Sequence, residues 1–164
     1  MEWRPQFTKE QDSPLALVQV ASASCCLLVH LARMKGSRPE DLTPLSELIT
    51  DASLSAVVSA GWNPDEESKV SNALGITAAD IPRLLDLQGV AQHAGLPFVG
   101  LGKLVAHVLG LPEWKKDRKV TMSNWESALR PSMIKYAVLD GLLPGMLFRQ
   151  LRFLHHSRHR CAWW

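Results

Sequence analysis

The chain has 164 residues, of which 46% are hydrophobic and 21% are charged, and its formal net charge is +2 at pH 7. This composition is close to that of average globular proteins, so it excludes disordered and fibrous architectures, and the length suits one domain. Such a small net charge does not indicate a polyanionic partner by itself. Evidence for nucleic-acid binding therefore has to come from where the basic residues lie.

The first long feature is an apolar run over residues 14–32, "PLALVQVASASCCLLVHLA". Polar residues interrupt this run, and acidic residues precede it where a signal peptide needs a basic start. We therefore expect neither a membrane span nor a secretory leader. The run instead predicts a β-hairpin, with strands over 15–21 and 25–31 joined by the small residues Ser22-Ala23-Ser24.

Later segments alternate between helix and strand patterns. Thr43 and Pro44 are typical of an N-cap and a first helical position, and they predict a helix over 44–52. The other predicted elements are a strand over 54–62, a helix over 65–74, a strand over 81–88, a brief helix over 89–95, a helix over 100–110 and a last helix over 131–154. This order predicts one α/β layered domain over 1–154 and a disordered tail over 155–164.

The chain has 3 cysteines, Cys25, Cys26 and Cys161, and two of them are adjacent in an apolar run. An odd number with this placement favours free thiols in a reducing compartment. We therefore expect an intracellular protein of the nucleus or cytoplasm.

Acidic and phenolic side chains from separate parts of the chain could act together. Tyr136 and Asp140 are four residues apart, so a helix presents them on one face. Asp65 lies between a predicted strand and a predicted helix, at the edge of an α/β sheet where ligands bind. Taken singly, these residues and Glu2 have structural interpretations, namely a core aromatic, a solvated charge, a helix-dipole acid and a frayed terminus. Taken together, they predict a site for Mg²⁺ or Mn²⁺, which prefer oxygen ligands.

The segments "MEW", "PLALVQVAS", "GWNPD", "GLGKLVAHVLG", "SNW" and "YAVLD" follow one another over residues 1–154. In this order and with these gaps, the chain resembles a DEDDy 3'-5' exonuclease domain. It is most similar to the Werner-syndrome-helicase type, and ribonuclease D is a more distant relative.

The resemblance implies an α/β, RNase H-like fold in which helices flank a mixed sheet. It implies hydrolysis of phosphodiester bonds from nucleic-acid 3' ends with two divalent ions, Mg²⁺ or Mn²⁺. Glu2, Asp65 and Asp140 would be metal ligands, Tyr136 would position the attacking water, and Trp125 of "SNW" would pack near the site. The implied partner is the 3' end of DNA or RNA, with a helicase or another domain in a longer chain.

The family has an aspartate two residues before the acid that matches Glu2, and that position would fall immediately before Met1. We therefore expect the first strand to be largely missing here, and a longer natural chain to supply the strand and the aspartate. Two alternatives stay open. The chain could be a catalytically impaired, exonuclease-like domain that binds nucleic acid without the first aspartate, or a fragment with no independent role.

The last predicted helix also departs from the family pattern. Met133 stands where the family often has a glutamine before the tyrosine. Pro144 falls one turn after Asp140, and its ring would meet the carbonyl of residue 140 in a straight helix. The sequence therefore predicts a kink or a break of the helix at Pro144.

Basic residues cluster in the segment "EWKKDRKV", which precedes "SNW". A cluster of this kind either holds backbone phosphates through salt-dependent contacts or forms a solvated loop. The predicted nucleic-acid-binding residues are Lys115, Lys116, Arg118 and Lys119.

Overall fold

The computed structural model describes residues 1–5, 13–34, 39–96, 100–112 and 114–160. The strands are β1 (Glu2–Trp3), β2 (Leu15–Ala21), β3 (Cys26–Val29), β4 (Val57–Ser59) and β5 (Leu84–Asp86). The α-helices are α1 (Thr43–Thr50), α2 (Pro64–Leu74), α3 (Leu87–His93), α4 (Leu101–Leu109), α5 (Arg118–Thr121) and α6 (Pro131–Arg160). Helices thus flank a small set of strands, and the predicted mixed α/β class is confirmed.

Strand β2 is the centre of an antiparallel sheet with the order β1-β2-β3. The predicted hairpin is confirmed, with Val18 opposite Val29 and Ala21 opposite Cys26. The first strand consists of Glu2–Trp3 and pairs with β2, so that Glu2 lies opposite Leu17. The strands β4 and β5 form a separate parallel pair.

The core lies on both sides of β2, whose first four residues are all buried. A continuous apolar run of this kind is typical of a strand that is covered on both faces. One cluster packs β2 against α5 and α6, and it contains Ala16, Leu17, Val120, Trp125, Met133, Tyr136 and Ala137. Another packs β2 against α1, α2 and the loops that follow α2, and it contains Leu15, Val18, Leu45, Val70, Ile76 and Ile81.

Helix α6 differs from its prediction at two points. It is continuous through Pro144, so of the predicted kink or break, the break is wrong. It also continues past the predicted end at Leu154 as far as Arg160, while residues 161–164, which belong to the predicted tail, lie outside the described residues. Packing explains the continuity, because Leu143, Leu147 and Leu151 are buried in one cluster beside the proline.

The other differences are smaller. The first helix begins at Thr43 itself, with Leu42 in the cap position. The predicted strands over 54–62 and 81–88 are shorter, at Val57–Ser59 and Leu84–Asp86. Part of the predicted basic loop forms the short helix α5. Within the described ranges, no helix is long and apolar enough to cross a membrane.

Candidate active site

The packing of α6 on the antiparallel sheet brings Asp140 close enough to Glu2 for its charge to raise the pKa of Glu2. A glycine, Gly141, allows this close approach, because a Cβ there would lie 3.0 Å from Cys26 Sγ and 3.2 Å from Gln19 Cβ. Burial raises the pKa of Glu2 to about 7, and the negative charges of Asp140 and Glu66 act in the same direction. The amino group of Met1 and the ammonium of Lys116 oppose this shift. These pKa effects indicate that Glu2, Asp140 and Glu66 share one poorly solvated region.

Glu66 enters this region from the first turn of α2. Asn63 caps the helix, and its side-chain oxygen accepts hydrogen bonds from the backbone N–H groups of Asp65 and Glu66 at 3.0 and 3.1 Å. Burial raises the pKa of Glu66, and the charge of Asp140 contributes to the rise. One carboxylate oxygen, Glu66 Oε2, is buried and has no hydrogen-bond partner among the described residues. A buried carboxylate oxygen without a donor is costly unless something else compensates its charge.

Asp65, the acid selected from the sequence, has different surroundings. Its side chain is 63% exposed and lies 3.8 Å from Lys69 Nζ. Glu66 is among the charges that raise the pKa of Glu2, and the charge of Asp140 raises the pKa of Glu66 in turn. Helical spacing contained the signal, since residue 66 precedes the buried Val70 by four positions and shares its face of the helix.

Tyr136 and Lys116 complete the polar part of the site. Lys116 Nζ lies 3.1 Å from Asp140 Oδ1 and 5.5 Å from the centroid of the Tyr136 ring. Burial lowers the pKa of Lys116, but Asp140 and Tyr136 outweigh this effect and hold that pKa above its ordinary value. Burial and Asp140 raise the pKa of Tyr136 to about 12. At neutral pH the site therefore contains a protonated phenol beside an ion pair.

An aromatic cluster holds Tyr136 in place. The Trp125 ring is fully buried, and its centroid lies 5.9 Å from that of Tyr136. The centroid of the Trp114 ring lies 5.6 Å from that of the Tyr136 ring. The Trp125 carbonyl accepts a hydrogen bond from His30 Nε2 at 2.8 Å. Met133 is buried in the same cluster, so the position that differs from the family pattern has a packing role here.

The predicted basic residues divide into two groups. All four are exposed, but Lys116 also contacts Asp140, whereas Lys115, Arg118 and Lys119 extend into solvent. Asp117 caps α5 by accepting a hydrogen bond from the Lys119 backbone N–H at 2.8 Å. Arg118 and Lys119 therefore lie in the first turn of the short helix α5, and Lys115 precedes it.

The donor chemistry of the site suits a hard divalent cation, because it consists of carboxylate oxygens and one of them, Glu66 Oε2, is buried and unpartnered. The carboxylates lie farther apart than the ligands of a complete coordination shell. Among the residues that the structure describes, no group of three or more His, Cys, Asp or Glu side chains lies close enough together to hold a metal ion. The cation that contacts Asp140 is the ammonium of Lys116.

No protein-family profile matches the chain, and no curated protein matches it. Several solved structures match the chain. The Aedes aegypti Nibbler EXO domain matches with a TM-score of 0.75 and 21% identity, over 95% of this chain and 77% of that one. A nuclease in its apo form matches with a TM-score of 0.69 and 16% identity, over 90% of this chain and 68% of that one. At these identities the likeness establishes the fold, which is the RNase H-like fold of exonuclease domains, as predicted.

The EXD2 exonuclease domain, soaked in Mn and Mg, shares 23% identity over 98% of this chain and 80% of that one, with a TM-score of 0.37. A score this low does not indicate a shared arrangement of elements.

Proposed function

We propose that this chain is a metal-dependent 3'-5' exonuclease of the DEDDy type that acts on DNA or RNA. The observation that carries the proposal is the exonuclease-domain fold, on which Lys116 Nζ lies 3.1 Å from Asp140 Oδ1 and beside the Tyr136 ring. The charge of Asp140 also raises the pKa values of Glu2 and Glu66. Buried acids that raise one another's pKa values occur preferentially at functional sites.

In this proposal Glu2, Glu66 and Asp140 hold the divalent cations. Glu66 takes the role that the sequence suggested for Asp65, because its carboxylate is the less exposed of the two and lacks a partner at Oε2. A divalent ion such as Mg²⁺ or Mn²⁺, if held there, would supply a low-pKa water and would neutralise charge on the phosphodiester. Two-metal chemistry would require further oxygen ligands from the substrate or from solvent.

Tyr136 positions the attacking water. Its hydroxyl stays protonated at neutral pH because burial and Asp140 raise its pKa to about 12. A neutral phenol both donates and accepts hydrogen bonds, so it orients a water molecule without removing its proton. The buried Trp125 and Met133 behind the ring fix the direction of the hydroxyl.

Substrate phosphates contact the exposed residues Lys115, Arg118 and Lys119. Contacts of this kind are independent of base sequence and weaken as salt concentration rises. They would hold the strand beside the acidic site and leave the terminal phosphodiester near Tyr136.

The direction of cleavage is tested with a 5'-labelled, single-stranded oligonucleotide in Mn²⁺. The proposal predicts a ladder that shortens progressively from the 3' end. An otherwise identical oligonucleotide with phosphorothioate linkages at its 3' terminus should resist cleavage. Equal cleavage of the two substrates, or cuts only at internal positions, would contradict a 3'-5' exonuclease.

A second candidate function is binding of nucleic acid without hydrolysis. The ion pair between Lys116 and Asp140 favours it, because an ammonium already contacts one of the proposed metal ligands. In that case the same oligonucleotide would bind, with salt-dependent affinity, and would keep its full length in Mn²⁺ and in Mg²⁺.

A further inference from the structure

Lys116 is the basic residue of its segment that contacts the acidic site. Its ammonium lies 3.1 Å from Asp140 Oδ1, and the side chains of the pair are 48% and 15% exposed, respectively. Two aromatic rings flank the same ammonium, with centroid distances of 5.7 Å for Trp114 and 5.5 Å for Tyr136. Rings at these distances attract a cation electrostatically. The neighbouring Lys115 is exposed.

Several interactions, and not a single surface contact, define the position of the Lys116 ammonium. The acid that Lys116 pairs with is largely buried, and that acid is electrostatically coupled to two others, Glu2 and Glu66. Charges in such a region repel one another strongly, since solvent screens them poorly. The ammonium of Lys116 is the positive charge that contacts Asp140, whereas the amino group of Met1 acts on both Glu2 and Glu66.

We propose that Lys116 is an internal competitor for the divalent cation, and that its ammonium must leave Asp140 before metal binds there. This inference rests on the proposed function. It adds that Asp140 stays paired with Lys116 until a divalent cation replaces the ammonium. The side chain of lysine is long and flexible, so the ammonium can withdraw without movement of the backbone. Once withdrawn, the ammonium is free to pair with a substrate phosphate.

Competition predicts a reciprocal relation between the two cations. Any ligand that requires Asp140 binds more weakly while Lys116 occupies it, by the coupling free energy between the two states. Removal of the ammonium should therefore tighten metal binding, even though a phosphate contact is lost.

The test is titration of Mn²⁺, followed by electron paramagnetic resonance, into the full chain and into Lys116→Met. We expect Lys116→Met to bind Mn²⁺ about fivefold or more tightly than the wild type, which is the lower end of typical coupling between sites. Lys116→Arg keeps the charge and should show no such gain. The matched control is Lys135→Met, which removes the same charge from an exposed position on the helix of Asp140, and it should leave the Mn²⁺ affinity unchanged.

Equal Mn²⁺ affinity in the wild type and Lys116→Met would overturn the competition while leaving the proposed metal site intact. Absence of Mn²⁺ binding in both proteins would overturn the metal site itself and the competition with it. A gain in Lys116→Met that Lys135→Met reproduces would attribute the effect to net charge and would also overturn the competition.

A measurement on the wild type covers the case in which Lys116→Met does not fold. The side-chain ammonium resonance of Lys116, assigned by its loss in Lys116→Arg, should shift as Mg²⁺ is added. Binding of Mg²⁺ by calorimetry without any change in this resonance would contradict the proposal.

Discussion

At the start of α2, two neighbouring acids have opposite surroundings. Asp65 is 63% exposed and is paired with Lys69, whereas Glu66 carries a buried oxygen without a partner. The first is a solvated acid that stabilises the first turn of a helix. The second is held in the site by the backbone that positions it, and its buried charge reduces the stability of the fold.

The pair gives a matched test at the scale of one residue. Glu66→Gln should lower nuclease activity by at least about 100-fold, since loss of groups that only orient a ligand already costs 10- to 100-fold in metal affinity. Asp65→Asn should leave the activity within a few fold of the wild type. The measurement is the initial rate of oligonucleotide shortening in Mn²⁺. A large loss in Asp65→Asn with little change in Glu66→Gln would restore the sequence-based assignment of Asp65.

Glu2 predicts how stability depends on pH. Its pKa is about 7 in the folded chain against an ordinary value of 4.5, so between these values the folded state holds a proton that the unfolded state has lost. The free energy of unfolding should therefore fall as pH rises from 4.5 to about 7, without a further loss from this group above that range. Urea unfolding at pH 5 and pH 8 should show a smaller difference for Glu2→Gln than for the wild type. Equal differences would show that Glu2 is solvated.

At the scale of elements, the contact between α6 and the sheet depends on a glycine. A Cβ at Gly141 would lie 3.0 Å from Cys26 Sγ and 3.2 Å from Gln19 Cβ. A Cβ at Gly145, one turn later on the same helix, would lie 3.9 Å from its nearest neighbour, the guanidinium of Arg149. The two glycines therefore share a helix and differ in what surrounds them.

Gly141→Ala should lower the free energy of unfolding by about 1 kcal/mol, because overpacking costs 1–3 kcal/mol and the gain in helix propensity offsets part of it. Gly145→Ala should be neutral or raise stability by up to about 1 kcal/mol. Urea denaturation of both variants measures the contrast. Equal stabilisation by the two alanines would mean that α6 does not lie as close to β2 and β3 as described.

In α6, tertiary packing outweighs the local preference of proline for a helix end. A proline inside a helix costs about 3 kcal/mol, and this cost predicted a kink or a break at Pro144. The helix continues because Leu143, Leu147 and Leu151 are all buried beside it, and each buried leucine contributes about 1.5–3 kcal/mol. The spacing of the leucines indicated a continuous helix. Their packing partners lie on α3 and α4, far away in sequence, so the strength of this packing could not be predicted from local patterns.

At the scale of the whole molecule, Lys69 joins segments that are distant in sequence. It is 7% exposed and donates a hydrogen bond to the Ser13 carbonyl at 2.9 Å. Its ammonium also lies 5.2 Å from the centroid of the Trp3 ring. Lysine at this position thus connects α2 to the strand that carries Glu2.

Lys69→Met should lower the free energy of unfolding by about 1–3 kcal/mol, since it leaves a buried carbonyl without its donor. Lys103→Met, at an exposed position on α4, should change stability by no more than about 0.5 kcal/mol. Chemical denaturation compares the two. A loss in Lys103→Met as large as that in Lys69→Met would show that Lys69 has no special role.

The order of strands and helices could be predicted from sequence because it depends on local patterns, such as the Asn63 cap and the Gly75 end of α2. The site could be predicted only in part. Tyr136 and Asp140 share a helical turn, so their proximity is local, whereas the contact of Lys116 with Asp140 depends on how α6 packs against a distant segment. The choice between Asp65 and Glu66 likewise depends on which face of α2 meets the sheet.

The central claim is that Asp140, with Glu2 and Glu66, forms a metal-dependent hydrolytic centre. The most direct test is the initial rate of Mn²⁺-dependent nucleotide release from the 3' end of a single-stranded oligonucleotide, compared between the wild type and a folded Asp140→Asn variant. We expect release by the wild type, its abolition by a chelator, and a loss of about 100-fold or more in Asp140→Asn. Equal rates for the two proteins, or a wild type that binds Mn²⁺ and oligonucleotide and releases nothing, would contradict it.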